Sequence, residues 1–180
     1  IGVSLIIDVV LVGSSGAEEP EPVEFAERVW GLYGAFTDPA IDNRNLAMDD
    51  EFVYVANSTS APAIYKYNIV DGTYAGTLDV TGMSTGTHPV SVLKMIKNTD
   101  SSVNGGKDIL VACNLTTDGA PLQIWSWENG TDTAPVQKYS LNAARRFGDK
   151  MSFSGTWQSG KFWFRSNQSG DALVANIPIN

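Results

Sequence analysis

Val55-Ala56-Asn57 returns as Ala112-Cys113-Asn114 and again as Arg165-Ser166-Asn167, the asparagines lying 57 and 53 residues apart. Self-similarity at such a period means that the chain builds one supersecondary unit repeatedly and stacks the copies, each covering an apolar face its neighbour cannot cover alone. The match extends past the asparagine, because Ala61-Pro62 followed by Ile64-Tyr65-Lys66-Tyr67 is echoed by Ala120-Pro121 followed by Ile124-Trp125-Ser126-Trp127. A turn follows in both copies, Asp71-Gly72-Thr73 and Asn129-Gly130-Thr131. Asp-Gly and Asn-Gly suit hairpins that need positive φ. A last strand then runs over Tyr74 to Val80 and over Val136 to Leu141. Upstream of each asparagine the apolar pattern predicts a further hairpin: Asn45 to Met48 with Phe52 to Ala56, Val90 to Ile96 with Asp108 to Cys113, and Lys150 to Phe153 with Phe162 to Arg165.

Four antiparallel strands per unit predict an all-β, β-propeller-like array of four-stranded blades. The repeats fall at approximately 1–40, 41–81, 86–142 and 145–180 within a single domain, three and a half to four blades in all. Such an array is either a compact four-bladed ring or a fragment of a larger propeller, and a start at Ile1 rather than Met favours the fragment. A homo-oligomer or the remainder of a longer chain would then close it. Asp8-Val9-Val10-Leu11-Val12 aligns with Glu51-Phe52-Val53-Tyr54-Val55, which makes residues 1–12 two strands of an earlier blade. The competing reading is a signal-peptide core, against which stand the absent basic leader and Asp8 inside the apolar run. In residues 17–40, Glu18 to Glu24 reads as a loop, and Arg28-Val29-Trp30 fits an outer strand and a helical turn equally well.

Composition narrows the partners. A net charge of −8 argues against nucleic acid, whose binding rests on Lys and Arg neutralising phosphates, and suits a soluble extracytoplasmic protein. No apolar stretch is long enough to span a bilayer. Cys113 is the only cysteine, so no intrachain disulfide forms, and its place within a strand suits a small buried hydrophobe.

Asn43-Arg44-Asn45-Leu46-Ala47-Met48-Asp49-Asp50-Glu51-Phe52-Val53-Tyr54-Val55-Ala56-Asn57, with Gly86-Thr87-His88-Pro89-Val90 and Ala112-Cys113-Asn114-Leu115-Thr116, resembles a family of uncharacterised secreted proteins from Bacteroidetes. The resemblance covers roughly residues 37–170. It implies a propeller-like protein that is secreted or held at the cell surface, and it supplies no catalytic residues.

Loops leading into the first strand of each unit are the natural ligand-bearing positions. They present Asn43, Arg44 and Asn45, then Thr87 and His88, then Arg145, Arg146 and Asp149. These residues differ between repeats, so blade packing does not explain them. Arginine forks suit an anionic group or the hydroxyls and carboxylates of a glycan. The bland alternative is that the arginines satisfy carbonyls and acids between blades. His88 is the only histidine, which excludes a His-rich metal site and leaves it a low-ranking catalytic candidate against a hydrogen-bonding default. Asn98 to Asp108 superficially resembles a calcium loop, but it lacks the terminal Glu, contains Lys107 and joins two strands; no metal or cofactor is expected. Tyr65, Tyr67, Trp125 and Trp127 are repeat-equivalent and read as core, whereas Trp157, beside Gln158-Ser159-Gly160 in a hairpin tip, is expected to be exposed as an aromatic contact.

Four Asn-x-Ser/Thr sequons begin at Asn57, Asn114, Asn129 and Asn167, three of them the repeated asparagine, whose expected role is to hold the loop after its strand. Together these features predict an exported, non-enzymatic binding or scaffold protein that engages a glycan or protein partner through Asn43, Arg44, His88, Arg145, Arg146, Asp149 and Trp157. The alternatives are a propeller hydrolase or lyase acting on a carbohydrate or lactone, and a structural fragment without activity of its own.

Overall fold

The repeated strand patterns pair as expected. A computed structural model describes residues 43–57, 61–117, 119–142, 144–166 and 172–176; the readings of residues 1–40 and of Asn167 lie outside them. The described residues form three antiparallel sheets, each laid down in chain order, and none closes on itself. The first contains β1 (Asn43–Met48), β2 (Phe52–Asn57), β3 (Ala63–Asn68) and β4 (Tyr74–Thr77). The second contains β5 (His88–Ile96), β6 (Ile109–Leu115), β7 (Pro121–Ser126) and β8 (Val136–Asn142), and the third β9 (Met151–Ser154), β10 (Lys161–Arg165) and β11 (Ala172–Asn176). Helix is confined to a single 3-10 turn at Asn104–Gly106 among the described residues, and none of their helices is long and apolar enough to cross a membrane.

Side chains alternate across a strand, so β6 feeds two cores at once. Leu110 and Ala112 point toward the first sheet and join Tyr54, Ala56, Ile64, Leu93, Trp125 and Trp127 in one buried cluster. Ile109, Val111 and Cys113 point the other way and join Ile124, Met151, Trp157, Phe162 and Phe164 in a second. Every residue from Ile109 to Leu115 is buried, which accounts for the unbroken apolar run in a strand covered on both faces. Burial pushes the Cys113 thiol up to about 12 and makes it a packing group rather than a nucleophile.

The expected hairpin chemistry is present. Asn68 N donates to Thr73 O at 2.8 Å and Gly72 N to Asn68 O at 2.9 Å, closing the β3–β4 turn with Gly72 at φ 71°. Gly130 makes the equivalent β7–β8 turn at φ 96°. Trp125 and Trp127 are core, as their repeat equivalence implies. Tyr67 is buried to the same degree as Trp125 and Tyr65 is half-buried; both lie on the opposite face of the first sheet, where their rings meet Tyr74.

Trp157 departs from the sequence reading. It is fully buried, because the β9–β10 hairpin tip docks on the β5–β6 loop instead of facing solvent. Trp157 N donates to Lys97 O at 2.8 Å, Gln158 Oε1 accepts from Thr99 N at 3.1 Å and from Thr99 Oγ1 at 2.9 Å, and Gln158 Nε2 donates to Asn98 Oδ1. These bonds turn the indole into the second core, so Trp157 is no surface contact residue.

Candidate functional site

The N-terminal ends of β1 and β5 and the loop before β9 meet at one end of the seam between sheets. Their side chains form a connected polar cluster. Arg44 Nη1 donates to His88 Nε2 at 3.3 Å, and Arg44 Nη2 lies 3.8 Å from Asp149 Oδ1. Arg146 holds Asp149 with both arms of its fork, Nε to Oδ2 at 2.8 Å and Nη2 to Oδ1 at 2.6 Å. A guanidinium only donates, so His88 Nε2 is the acceptor in its bond with Arg44. Hydrogen bonds and charge from Arg146, then the charge of Arg44, hold the Asp149 carboxyl below the usual carboxylate range. The same pairing raises Arg146 further. Arg145 stands exposed beside them, and Asn43 is exposed at the start of β1, where Asn43, Arg44, Asn45, Leu46 and Val55 line a shallow hollow of about 360 Å³.

Backbone packing fixes this geometry. Asn45 Oδ1 accepts from Leu93 N at 2.9 Å and ties β1 to β5 across the seam. Asn114 performs the role expected of the repeated asparagine: its Nδ2 donates to Thr85 O at 3.0 Å and Pro121 O at 2.9 Å, while its Oδ1 accepts from Gln123 N at 2.7 Å. Two glycines then close on the end of β6 from different sides. A Cβ on Gly86 would meet the carbonyl of Leu115 and come within 2.9 Å of Asn114 Nδ2; one on Gly148 would overlap the carbonyl of Asn114. Thr87 N bonds Leu115 O at 2.9 Å, and Phe147 and Thr116 exchange backbone bonds of 3.1 and 2.9 Å. Each glycine therefore delivers the site residue that follows it, His88 or Asp149, from a shared backing. The sequence assigns neither glycine this role, Gly86 entering only within the segment that carries the family resemblance and Gly148 not at all, although a glycine one or two residues ahead of a repeat-variable polar residue is the available signal.

The opposite end of the seam holds a cleft of about 730 Å³ between the β1–β2 turn, the β5–β6 loop and the β7–β8 turn. Ion pairs cross it: Lys107 Nζ to Glu51 Oε1 and Lys66 Nζ to Asp132 Oδ1, both at 2.9 Å. Asp49 is consumed locally, accepting from the backbone of Glu51 and Phe52 and from the Tyr54 hydroxyl at 2.7 Å. Burial, then that bond to Asp49, raises the Tyr54 phenol above its ordinary range.

The polar groups of the calcium-like loop are engaged within it and by Gln158 and Glu51. Asn98 Nδ2 donates to Asp100 O, Val103 O and Lys107 O, and Asp100 Oδ1 accepts from Ser102 N and Oγ. The described residues contain no cluster of His, Cys, Asp and Glu suited to a metal. Of the sequon asparagines, Asn57 and Asn114 are buried, and Asn129 is exposed.

Across known protein families, curated proteins and solved structures, nothing matches this chain.

Proposed function

We propose that the chain is an exported, non-enzymatic binding protein of the β-propeller type, whose cluster at the N-terminal ends of β1 and β5 recognises a carboxylate-bearing glycan. One observation carries this reading: residues of β1, β5 and the loop before β9 converge on the Asp149 carboxylate, with Arg146 gripping it bidentately and Arg44 approaching it while bonded to His88. The cluster has the fork geometry that carboxylates favour, on side chains that are only partly buried, with Arg145 exposed on the same loop. Catalysis fits less well. Asp149 is held ionised with both oxygens engaged, which removes it as a proton donor, and His88 Nε2 is occupied by Arg44. The propeller reading is supported by three sheets laid down in the same order and stacked through cores of the same construction. Export rests on the family resemblance carried by residues 43–57, 86–90 and 112–116.

Calorimetric titration with an oligouronate and with a neutral oligosaccharide of equal length tests the proposal. Binding of the oligouronate alone, weakened by salt and by Arg145→Ala, is the expected result. Equal affinity for both sugars, or no binding of either by protein with a cooperative melt, overturns it.

A further inference from the structure

The chain contains two Asn-Gly dipeptides, Asn104-Gly105 and Asn129-Gly130, and the structure treats them oppositely. Asn-Gly is the dipeptide in which the following backbone nitrogen is least hindered from reaching the asparagine side chain, because glycine carries no Cβ. Whether the reaction proceeds depends on how freely the side chain and that nitrogen can meet.

Asn104 is held. Its Nδ2 donates to Asp108 O at 3.0 Å and to Lys107 O at 3.5 Å, inside a loop whose turns are closed by Gly106 N to Val103 O and Lys107 N to Asn104 O. The residue itself sits at φ 48°, the only described non-glycine residue at positive φ, and the side-chain bonds fix it there. Asn129 is exposed at the tip of the β7–β8 turn, and neither its side chain nor Gly130 N makes a hydrogen bond among the described residues. Gly130, at φ 96°, is held through its carbonyl, which accepts from Thr133 N at 3.2 Å and from Thr133 Oγ1 at 2.8 Å, while the groups that must react, the Asn129 side chain and Gly130 N, stay outside these bonds.

We infer that Asn129 is a self-modification site of the folded protein, converting spontaneously to aspartate and isoaspartate while Asn104 is protected. Gly130 N, losing its proton to solvent base, attacks Cγ of Asn129; the new C–N bond closes a succinimide and Nδ2 leaves as ammonia. Water then opens the ring at either carbonyl, giving aspartate or, with the main chain rerouted through the side chain, isoaspartate. No oxidant or cofactor is required. The product carries a new carboxylate three residues from Asp132, on the lip of the cleft where Asp132 takes the Lys66 ammonium. A Cβ added to Gly130 would lie 3.5 Å from Asn104 Oδ1, so the two loops that frame this cleft are close at this point and a rerouted backbone changes the distance between them.

The test is timed incubation of the intact protein in mildly alkaline buffer at physiological temperature, then peptide mapping by mass spectrometry with electron-transfer fragmentation to separate isoaspartate from aspartate. Conversion at Asn129 is expected to outrun that at Asn104 by at least about tenfold, since reaction at Asn104 must first break its side-chain bonds. In denaturant the two sites should react at comparable rates. Equal rates in the folded protein, faster reaction at Asn104, or an inert Asn129 in folded protein whose denatured form reacts at both sites, would each overturn the inference.

Discussion

Gly148→Ala is the sharpest probe of how the polar cluster is positioned. Gly148 has φ +95°, and an added Cβ would overlap the Asn114 carbonyl and lie 2.9 Å from Leu115 Cα. Both are backbone atoms of β6, which is buried on both faces and cannot retreat. The left-handed conformation alone costs about 1 kcal/mol for a residue with a Cβ. Relieving the overlap must also part Phe147 from Thr116, whose two exchanged hydrogen bonds contribute about 1 kcal/mol each. The sum is about 3 kcal/mol, or a fall in Tm of roughly 6–12 °C for a chain of this size. Gly105→Ala is the matched control. It has φ +61° but nothing within 4 Å of the added Cβ, so only the conformational cost applies, about 1 kcal/mol and roughly 2–4 °C. Calorimetry, with urea unfolding at constant m to check the stability difference, measures both. Equal shifts for the two variants would refute the claim that close packing against β6, rather than glycine's backbone freedom, holds the Asp149 loop in place.

Three further outcomes follow from the same geometry. Trp157→Ala should destabilise by about 3–5 kcal/mol, as expected for an indole lost from a core, and in protein that still folds should leave oligouronate affinity unchanged; a loss of affinity without a loss of stability would restore Trp157 as a contact residue. Because the folded-state pKa of Asp149 is depressed, its ion pairs contribute stability above the unfolded carboxylate range and lose it as pH falls through the lowered value. The stability gap between wild type and Asp149→Asn in urea unfolding should thus be steady from neutral pH down to about pH 4 and close below it; a gap that widens in acid contradicts the assignment. Cys113 should resist a thiol-reactive dye in the native state and react on unfolding, since burial leaves its thiol protonated; prompt labelling of native protein would mean that β6 is accessible.

The strands were legible because two independent signals agreed. Repetition located the units, and within each unit alternation and Asp-Gly or Asn-Gly turns located the hairpins, as at Asn68 to Thr73. The meeting of Arg44, His88 and Asp149 has a complementary signal in the sequence: they lie in the stretches leading into the first strand of successive repeats, with unlike side chains that shared packing does not require. Trp157 was misread because hairpin tips are exposed by default, and the docking that buries it runs through Gln158 to Asn98 and Thr99, partners about 60 residues away that no local pattern announces. Gly148 was missed for a similar reason. Its role lies in a contact between sheets, visible only when the sheets are assembled.

The division of labour between repeated and variable residues gives the cluster a particular sensitivity. Asn114 belongs to the repeat and is 1% exposed, and it touches neither Arg44 nor Arg146 in any described hydrogen bond. Yet it anchors Thr85 ahead of His88, and its own backbone is the surface against which Gly148 seats Asp149. The side chains that would discriminate one ligand from another can change without disturbing this backing, because they project from loop ends while β6 supplies the packing. The converse does not hold. A change at the end of β6 moves His88 and Asp149 together, so the chemistry of the cluster depends on a buried strand that never meets solvent.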